Sequence, residues 1–231
     1  AFAGIDGILL GVALLVVLLI LVLVYRSPSL PFAVIFTSLF GLTLASLAVY
    51  QLAANGAIDL NGQSQGILFI LVVGAATDYA LLLVARYREE LHRHESVYVA
   101  MRAAWRASLA PISASAGTVI AGVLCLLLSD LSSNRGLGPV AAIGIASAYL
   151  AALTLLPALL LVAGRRSRAV FWPRIPRPAA PDAEPVEAKP GLWERLAAFV
   201  ARRDRIVWIV TAVVLLGFSA FLPTLRASGT N

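Results

Sequence analysis

The 231 residues are 60% hydrophobic and 13% charged, with a mean hydropathy of +0.90. Soluble domains sit near ~45–50% apolar, so a water-soluble globule is excluded and an all-α, polytopic transmembrane bundle is predicted. The net charge of +6 does not imply nucleic acid as a partner, because the basic residues gather in short stretches between apolar runs, the pattern of cytoplasmic loops. The single cysteine excludes an internal disulfide framework and a cysteine-built metal centre. Cys125 lies in an apolar run and is expected to be a small packing residue. The chain opens at Ala1, without a signal-peptide pattern, and enters an apolar run at once; it is expected to be part of a longer polypeptide.

Six stretches approach the ~20 apolar residues needed to cross a bilayer. In chain order they run over Ile8–Val24, Phe32–Leu52, Gly66–Ala85, Pro111–Leu128, Pro139–Val162 and Ile206–Leu222. Pro31, Pro111 and Pro139 sit where helices are expected to begin, since the first turn tolerates a missing N–H. Pro157 lies inside the fifth stretch and is expected to kink it. Sixteen of the eighteen basic residues fall in the first–second loop (Arg26), the third–fourth loop (Arg86 to Arg106) and the fifth–sixth linker (Arg165 to Arg205). The positive-inside rule makes those segments cytoplasmic and places both ends of this chain outside.

Three regions follow. Residues 1–163 form a five-span bundle. Residues 164–190 contain six prolines and read as an extended cytoplasmic linker. Residues 191–231 read as an interfacial helix followed by the sixth span, because Leu192, Leu196, Phe199 and Val200 share a helical face beside Arg195, Arg202 and Arg203. The third–fourth loop has a similar amphipathic pattern, with Val97, Met101 and Trp105 on one side. His92 and His94 fall in the same loop and are read as solvated surface residues.

One ionisable residue, Asp78, lies deep in a span. It is 12 residues past Gly66 and 8 before Arg86, so at ~1.5 Å per residue it lies ~18 Å from one end and ~12 Å from the other. A charge at that depth costs ~2.5–3.5 kcal/mol or more and normally faces a bundle interior on an ion or proton pathway. The alternative is a protonated structural acid bonded to another helix. Gly74 and Ala75, one turn earlier, would allow a neighbouring helix to approach closely, and Tyr79 supplies a phenolic hydroxyl. In the fourth span, Ser113, Gly117 and Ala121 have small-xxx-small spacing. Ser113 and Thr118 are therefore read either as helix packing or as hydroxyls beside the Asp78 path. No Walker-type loop is present, and intramembrane aspartyl proteolysis needs two carboxylates sharing a site. The chain is therefore not read as an enzyme, and no cofactor or metal site is expected.

The run Gly74-Ala75-Ala76-Thr77-Asp78-Tyr79-Ala80-Leu81-Leu82-Leu83-Val84-Ala85-Arg86-Tyr87-Arg88-Glu89-Glu90-Leu91 resembles the fourth span of actinobacterial MmpL (mycobacterial membrane protein large) transporters, of the resistance-nodulation-division superfamily. Tyr25-Arg26-Ser27-Pro28, Asn61-Gly62-Gln63-Ser64 and Ser133-Asn134-Arg135-Gly136-Leu137-Gly138-Pro139 match the same pattern. The resemblance implies a fragment covering the second to seventh of twelve spans, in the plasma (inner) membrane of an actinobacterium. It implies proton-driven export of lipids or other hydrophobic compounds, with Asp78 and Tyr79 in the proton relay. The implied partners are membrane lipids, the hydrophobic or lipid substrate, and the second half of the transporter or a dimer mate that replaces it. A non-transporting membrane sensor or scaffold of the sterol-sensing type is the competing reading; the Asp78–Tyr79 pair favours the transporter.

Overall fold

The computed structural model describes residues 2–25, 27, 29–56, 58, 62–129, 131–162, 164–172, 175–176 and 192–219. Among these, seven α-helices and two 3-10 segments account for nearly everything. Arg26, Pro28, Asn61 and the linker from 177 to 190 lie outside the described residues. The chain divides into two compact units, Ala1–Ala179 and Ala180–Asn231.

The first unit holds α1 (Phe2–Tyr25), α2 (Ser29–Ala54), α3 (Gly62–Arg93), α4 (Val97–Leu124) and α5 (Ser132–Val162). The helices α2, α3 and α5 are long and apolar enough to span a bilayer, as is α4 with the 3-10 turn Cys125–Leu128 that continues it. Helix α1 is apolar as well, with Leu14–Leu23 as its longest described stretch. Helix α5 is the hub, packing against α2, α3 and α4. Small residues make this possible: a Cβ on Gly41 of α2 would lie 3.3 Å from Ala151 Cβ and 3.5 Å from Ala148 Cα of α5. Gly138, near the start of α5, comes closer still, with its Cβ position 2.8 Å from the backbone oxygen of Val123.

Two apolar clusters fill the interior. Toward the basic end, Leu21, Leu30, Leu83, Tyr87, Met101, Leu156 and Phe171 pack together. Toward the other end, Leu42, Val72, Tyr79, Ile112, Ile145 and Leu153 do so.

Several sequence expectations change here. Pro31 does lie in the first turn of α2, but Pro111 and Pro139 are inside α4 and α5. The amphipathic loop helix after Val97 runs without interruption into the fourth span, so the first turn lies well before Pro111. Its Val97–Met101 face is buried in the bundle rather than turned outward. Cys125 is exposed, not packed, because the 3-10 turn that carries it has no buried residues.

The first part of the linker is also not extended. Gly164–Phe171 forms a 3-10 helix docked on the bundle. Ser167 is fully buried and its Oγ lies 2.7 Å from Tyr87 Oη. Ser27 and Ser29 donate to Val170 O at 2.6 and 2.7 Å. Arg168 donates to the carbonyls of Leu91, His94, Glu95 and Pro176 at 2.5–3.0 Å. A cation is favoured at a helix C-terminus, where the last carbonyls lack intrahelical donors, and Arg168 fills that role for α3. On α3 itself, Glu90 is buried beside Arg86, Arg93 and His94 at 3.4–3.8 Å.

In the second unit, α6 (Leu192–Arg202) passes through a bend at Arg203 into the apolar α7 (Asp204–Ser219).

Pro157 cannot donate to Leu153 O, its normal helical partner. The indole Nε1 of Trp105 on α4 donates to that carbonyl instead, at 3.0 Å. An unsatisfied buried carbonyl costs ~1–3 kcal/mol, so Trp105→Phe should destabilise the bundle by about that amount. Restoring the N–H with Pro157→Ala should remove much of the loss. Thermal unfolding of the four proteins of this cycle in detergent checks it; equal losses in both backgrounds would exclude the compensation.

Candidate functional site

The third helix places Asp78 halfway along its length, inside the apolar stretch. Its neighbours one turn away, Gly74 and Leu82, lie on the same face by the helical repeat, and all three are exposed in this chain. Ala76, Ala80 and Leu83 turn the opposite way and are buried. The helical period therefore aims the carboxylate away from α5 and toward the open side of α3.

There it opens onto a cavity of about 550 Å³ between α3 and α4. Gly74, Asp78 and Tyr79 come from α3, Pro111, Ser115 and Val119 from α4, and Ile145 from α5. Tyr79 is 6% exposed, and Ser115 lines the same cavity wall from α4. The lining thus combines one carboxylate and two hydroxyls with apolar surface, a composition suited to holding and passing a proton. Among the described residues, no cation or hydrogen-bond donor engages the Asp78 carboxylate.

The two hydroxyls singled out in the fourth span lie elsewhere. Ser113 faces α5, its Oγ 2.9 Å from Tyr149 Oη. Thr118 is exposed and donates to Ala114 O within its own helix at 2.8 Å. Neither lines the cavity, so the structure brings Asp78 and Tyr79 together with Ser115 instead. Ser115 was legible only as one more small residue in a small-residue helix. Its assignment to the α3 side needed the rotation of α4 about its axis.

The small residues around the site are uncovered. A Cβ on Gly74, Gly117 or Gly122 would meet nothing within 4 Å. Only 11% of the apolar window of α4 is buried, against 50% for α3. The faces of α3 and α4 that border Asp78 are thus smooth, apolar and uncovered by the described residues of the first unit.

Comparison with known proteins bears on the same helices. The MMPL family model matches residues 1–207. A membrane protein of Streptomyces coelicolor, SCO0839, is 53% identical over 99% of this chain and 32% of its own length. The apo-petrobactin exporter of Bacillus anthracis is 34% identical over 97% of this chain and 31% of its own. The transport protein MmpL12 of Mycobacterium tuberculosis is 32% identical over 88% of this chain and 16% of its own. The chain spans about a third or less of the length of these relatives. With a family model covering most of its residues and a multi-helix membrane bundle carrying them, the chain belongs to the MMPL family.

Proposed function

We propose that this chain is the membrane part of one half of a proton-driven exporter of lipids or other hydrophobic compounds, with Asp78 as the proton-carrying group and Tyr79 as the hydroxyl that orients the carboxylate of the other half. The observation that carries the reading is the position of Asp78: mid-helix, on one cavity wall with Tyr79 and Ser115, on a face that no described residue of the first unit covers. A carboxylate so placed is costly unless it meets a partner or a polar path. A second membrane half, or a dimer mate, would cover α3 and α4 and supply that partner. The uncovered glycines suit close approach of such a helix. Relatives named as an exporter and as a transport protein support the direction and the class, and the Streptomyces relative supports an actinobacterial plasma-membrane setting. In this reading residues 1–163 are the bundle, the linker is cytoplasmic, and α7 begins the second half.

Mechanistically, the carboxylate takes a proton from one side and releases it to the other as the two halves rock. Moving one charge through the membrane potential is worth ~2.3 kcal/mol per 100 mV, and the cycle couples that energy to movement of the cargo. The Tyr79 phenol lines the same open cavity as Ser115, so it remains available to the partner carboxylate.

Topology is the first test. The distribution of basic residues puts Asn55 outside and Arg93 inside. Single cysteines at these exposed positions, in a Cys125→Ser background, should react from opposite sides of intact cells. Reaction of both with one impermeant reagent would overturn the orientation.

Chemistry is the second. In the full-length protein, Asp78→Asn should lower proton-gradient-dependent efflux of labelled lipids or hydrophobic dyes from proteoliposomes by about two orders of magnitude or more, the low end of what a proton-transferring side chain contributes. Expression and folding should stay near normal, because Asn keeps the size and bonding capacity. Tyr79→Phe removes one hydrogen bond, worth ~1 kcal/mol, so about a fivefold loss is expected. Wild-type efflux from the Asp78→Asn protein would make Asp78 a structural acid.

A further inference from the structure

We infer that the α6–α7 corner is a binding site for the headgroup of an anionic phospholipid, held by Arg195, Arg202 and Arg203. This inference does not depend on the transport reading. The three arginines, with Ala198 and Phe199, line an open hollow of about 530 Å³. All three are exposed, and none of them is ion-paired with Asp204. Arg195 and Arg202 are seven residues apart, two turns along one side of α6. Arg203 follows at the bend, its guanidinium carbon 5.9 Å from the centroid of the Phe199 ring. That stacking holds one fork of donors at the rim of the hollow, while Leu196, Phe199 and Val200 remain 41–51% exposed beside it.

The depth of this site follows from backbone continuity. The amide of Arg203 donates to Phe199 O and Val200 O, and the amide of Val207 donates to Arg203 O at 2.9 Å. Helical hydrogen bonding therefore passes through the bend into α7, whose exposed apolar run begins at Ile206. A span that starts three residues after Arg203 keeps α6 at the membrane surface, within reach of lipid phosphates. Its apolar side chains then dip toward the acyl boundary and its guanidinium groups lie at headgroup level. Arginine presents a planar fork that matches phosphate oxygens. The segment from Leu192 to Arg205 carries four arginines against Glu194 and Asp204, so its excess charge is positive. Asp204 Oδ1 is already engaged by the amide of Arg205 at 2.8 Å. The occupant with matching charge and depth is an anionic phospholipid of the cytoplasmic leaflet.

The test uses the full-length protein in vesicles of phosphatidylcholine with a minor fraction of phosphatidylglycerol, followed by native mass spectrometry of the lipids retained. Wild type should retain phosphatidylglycerol over phosphatidylcholine, and the preference should weaken as salt rises from about 0.05 to 0.5 M. The triple variant Arg195→Gln/Arg202→Gln/Arg203→Gln should lower that preference about tenfold or more. Arg102→Gln/Arg106→Gln, two exposed arginines on α4, should leave it unchanged. Arg195→Lys/Arg202→Lys/Arg203→Lys, which keeps the charge and loses the fork, should fall between wild type and the triple Gln variant. A triple Gln variant that keeps the wild-type preference overturns the site. So does an equal loss in the α4 control, which would mark a general effect of basic charge, and so does a preference indifferent to salt.

Discussion

A carboxylate fixed halfway along an apolar helix is the constraint around which the bundle is organised. Every other residue type on the inner face of α3 is there to pack: Ala76, Ala80 and Leu83 are fully buried, and α5 lies against them. Asp78 cannot join that interface without a partner for its charge, and the helical period turns it to a side of α3 left open by the described residues of the first unit. The same rotation brings Tyr79 to the edge of the α4 contact, on the cavity wall with Ser115. Asp78 faces outward, Tyr79 faces sideways and Ala80 faces inward, so three consecutive residues assign α3 its neighbours.

Backbone satisfaction sets the second layer of order. Inside a bilayer no water completes an unpaired carbonyl or hydroxyl, and the bundle meets most such cases from within, Tyr25 Oη and Ser108 Oγ being the buried hydroxyls left without a partner among the described residues. Thr37, Ser38, Thr43, Thr77, Thr118 and Thr154 each donate to the carbonyl four residues earlier, at 2.6–3.0 Å. Hydroxyls can thus stand on apolar helices without requiring partners elsewhere. Pro157 leaves one carbonyl open, and Trp105 closes it from the next helix. The α3 C-terminus leaves several, and Arg168 gathers two of them together with two from adjoining segments. These side chains serve as backbone donors placed where the helix itself has none.

Much of this was legible in the sequence, and the limits have physical causes. Apolar runs and the distribution of arginine gave the helices and their expected orientation because the bilayer acts on length and charge along the chain. Asp78 stood out for the same reason: one acid in an apolar run is a property of sequence alone. Contacts that depend on the rotation of one helix against another were not legible. Ser113 and Ser115 are equivalent by composition and two residues apart, yet one meets Tyr149 and the other lines the cavity with Asp78 and Tyr79. Pro111 resembled a helix start because the residues before it are basic and loop-like. The helix nevertheless continues through it, since Val97 and Met101 bury their side chains against Tyr87 and Leu83. Gly164–Phe171 resembled the opening of a proline-rich tether, and nothing in its arginine-rich composition marks Ser167 or Phe171 as buried. Their burial arises from a docking surface that α2, α3 and α4 form only once folded.

That docking surface changes what α3 is mechanically. Its basic end is held by Arg168 at Leu91, by Ser167 at Tyr87 and by the ion pairs around Glu90. Its middle is uncovered on the Asp78 side. Leu91 is 13 residues beyond Asp78, ~20 Å along a helix that rises ~1.5 Å per residue. The intervening turns are packed against α5 and α4, and close-packed interiors have few voids in which to absorb strain. The carboxylate and the residues that Arg168 grips therefore belong to one continuous, packed helix. The linker segment that bears Arg168 is thus joined to the Asp78 turn through α3, a helix that borrows side-chain donors for its carbonyls at its tip.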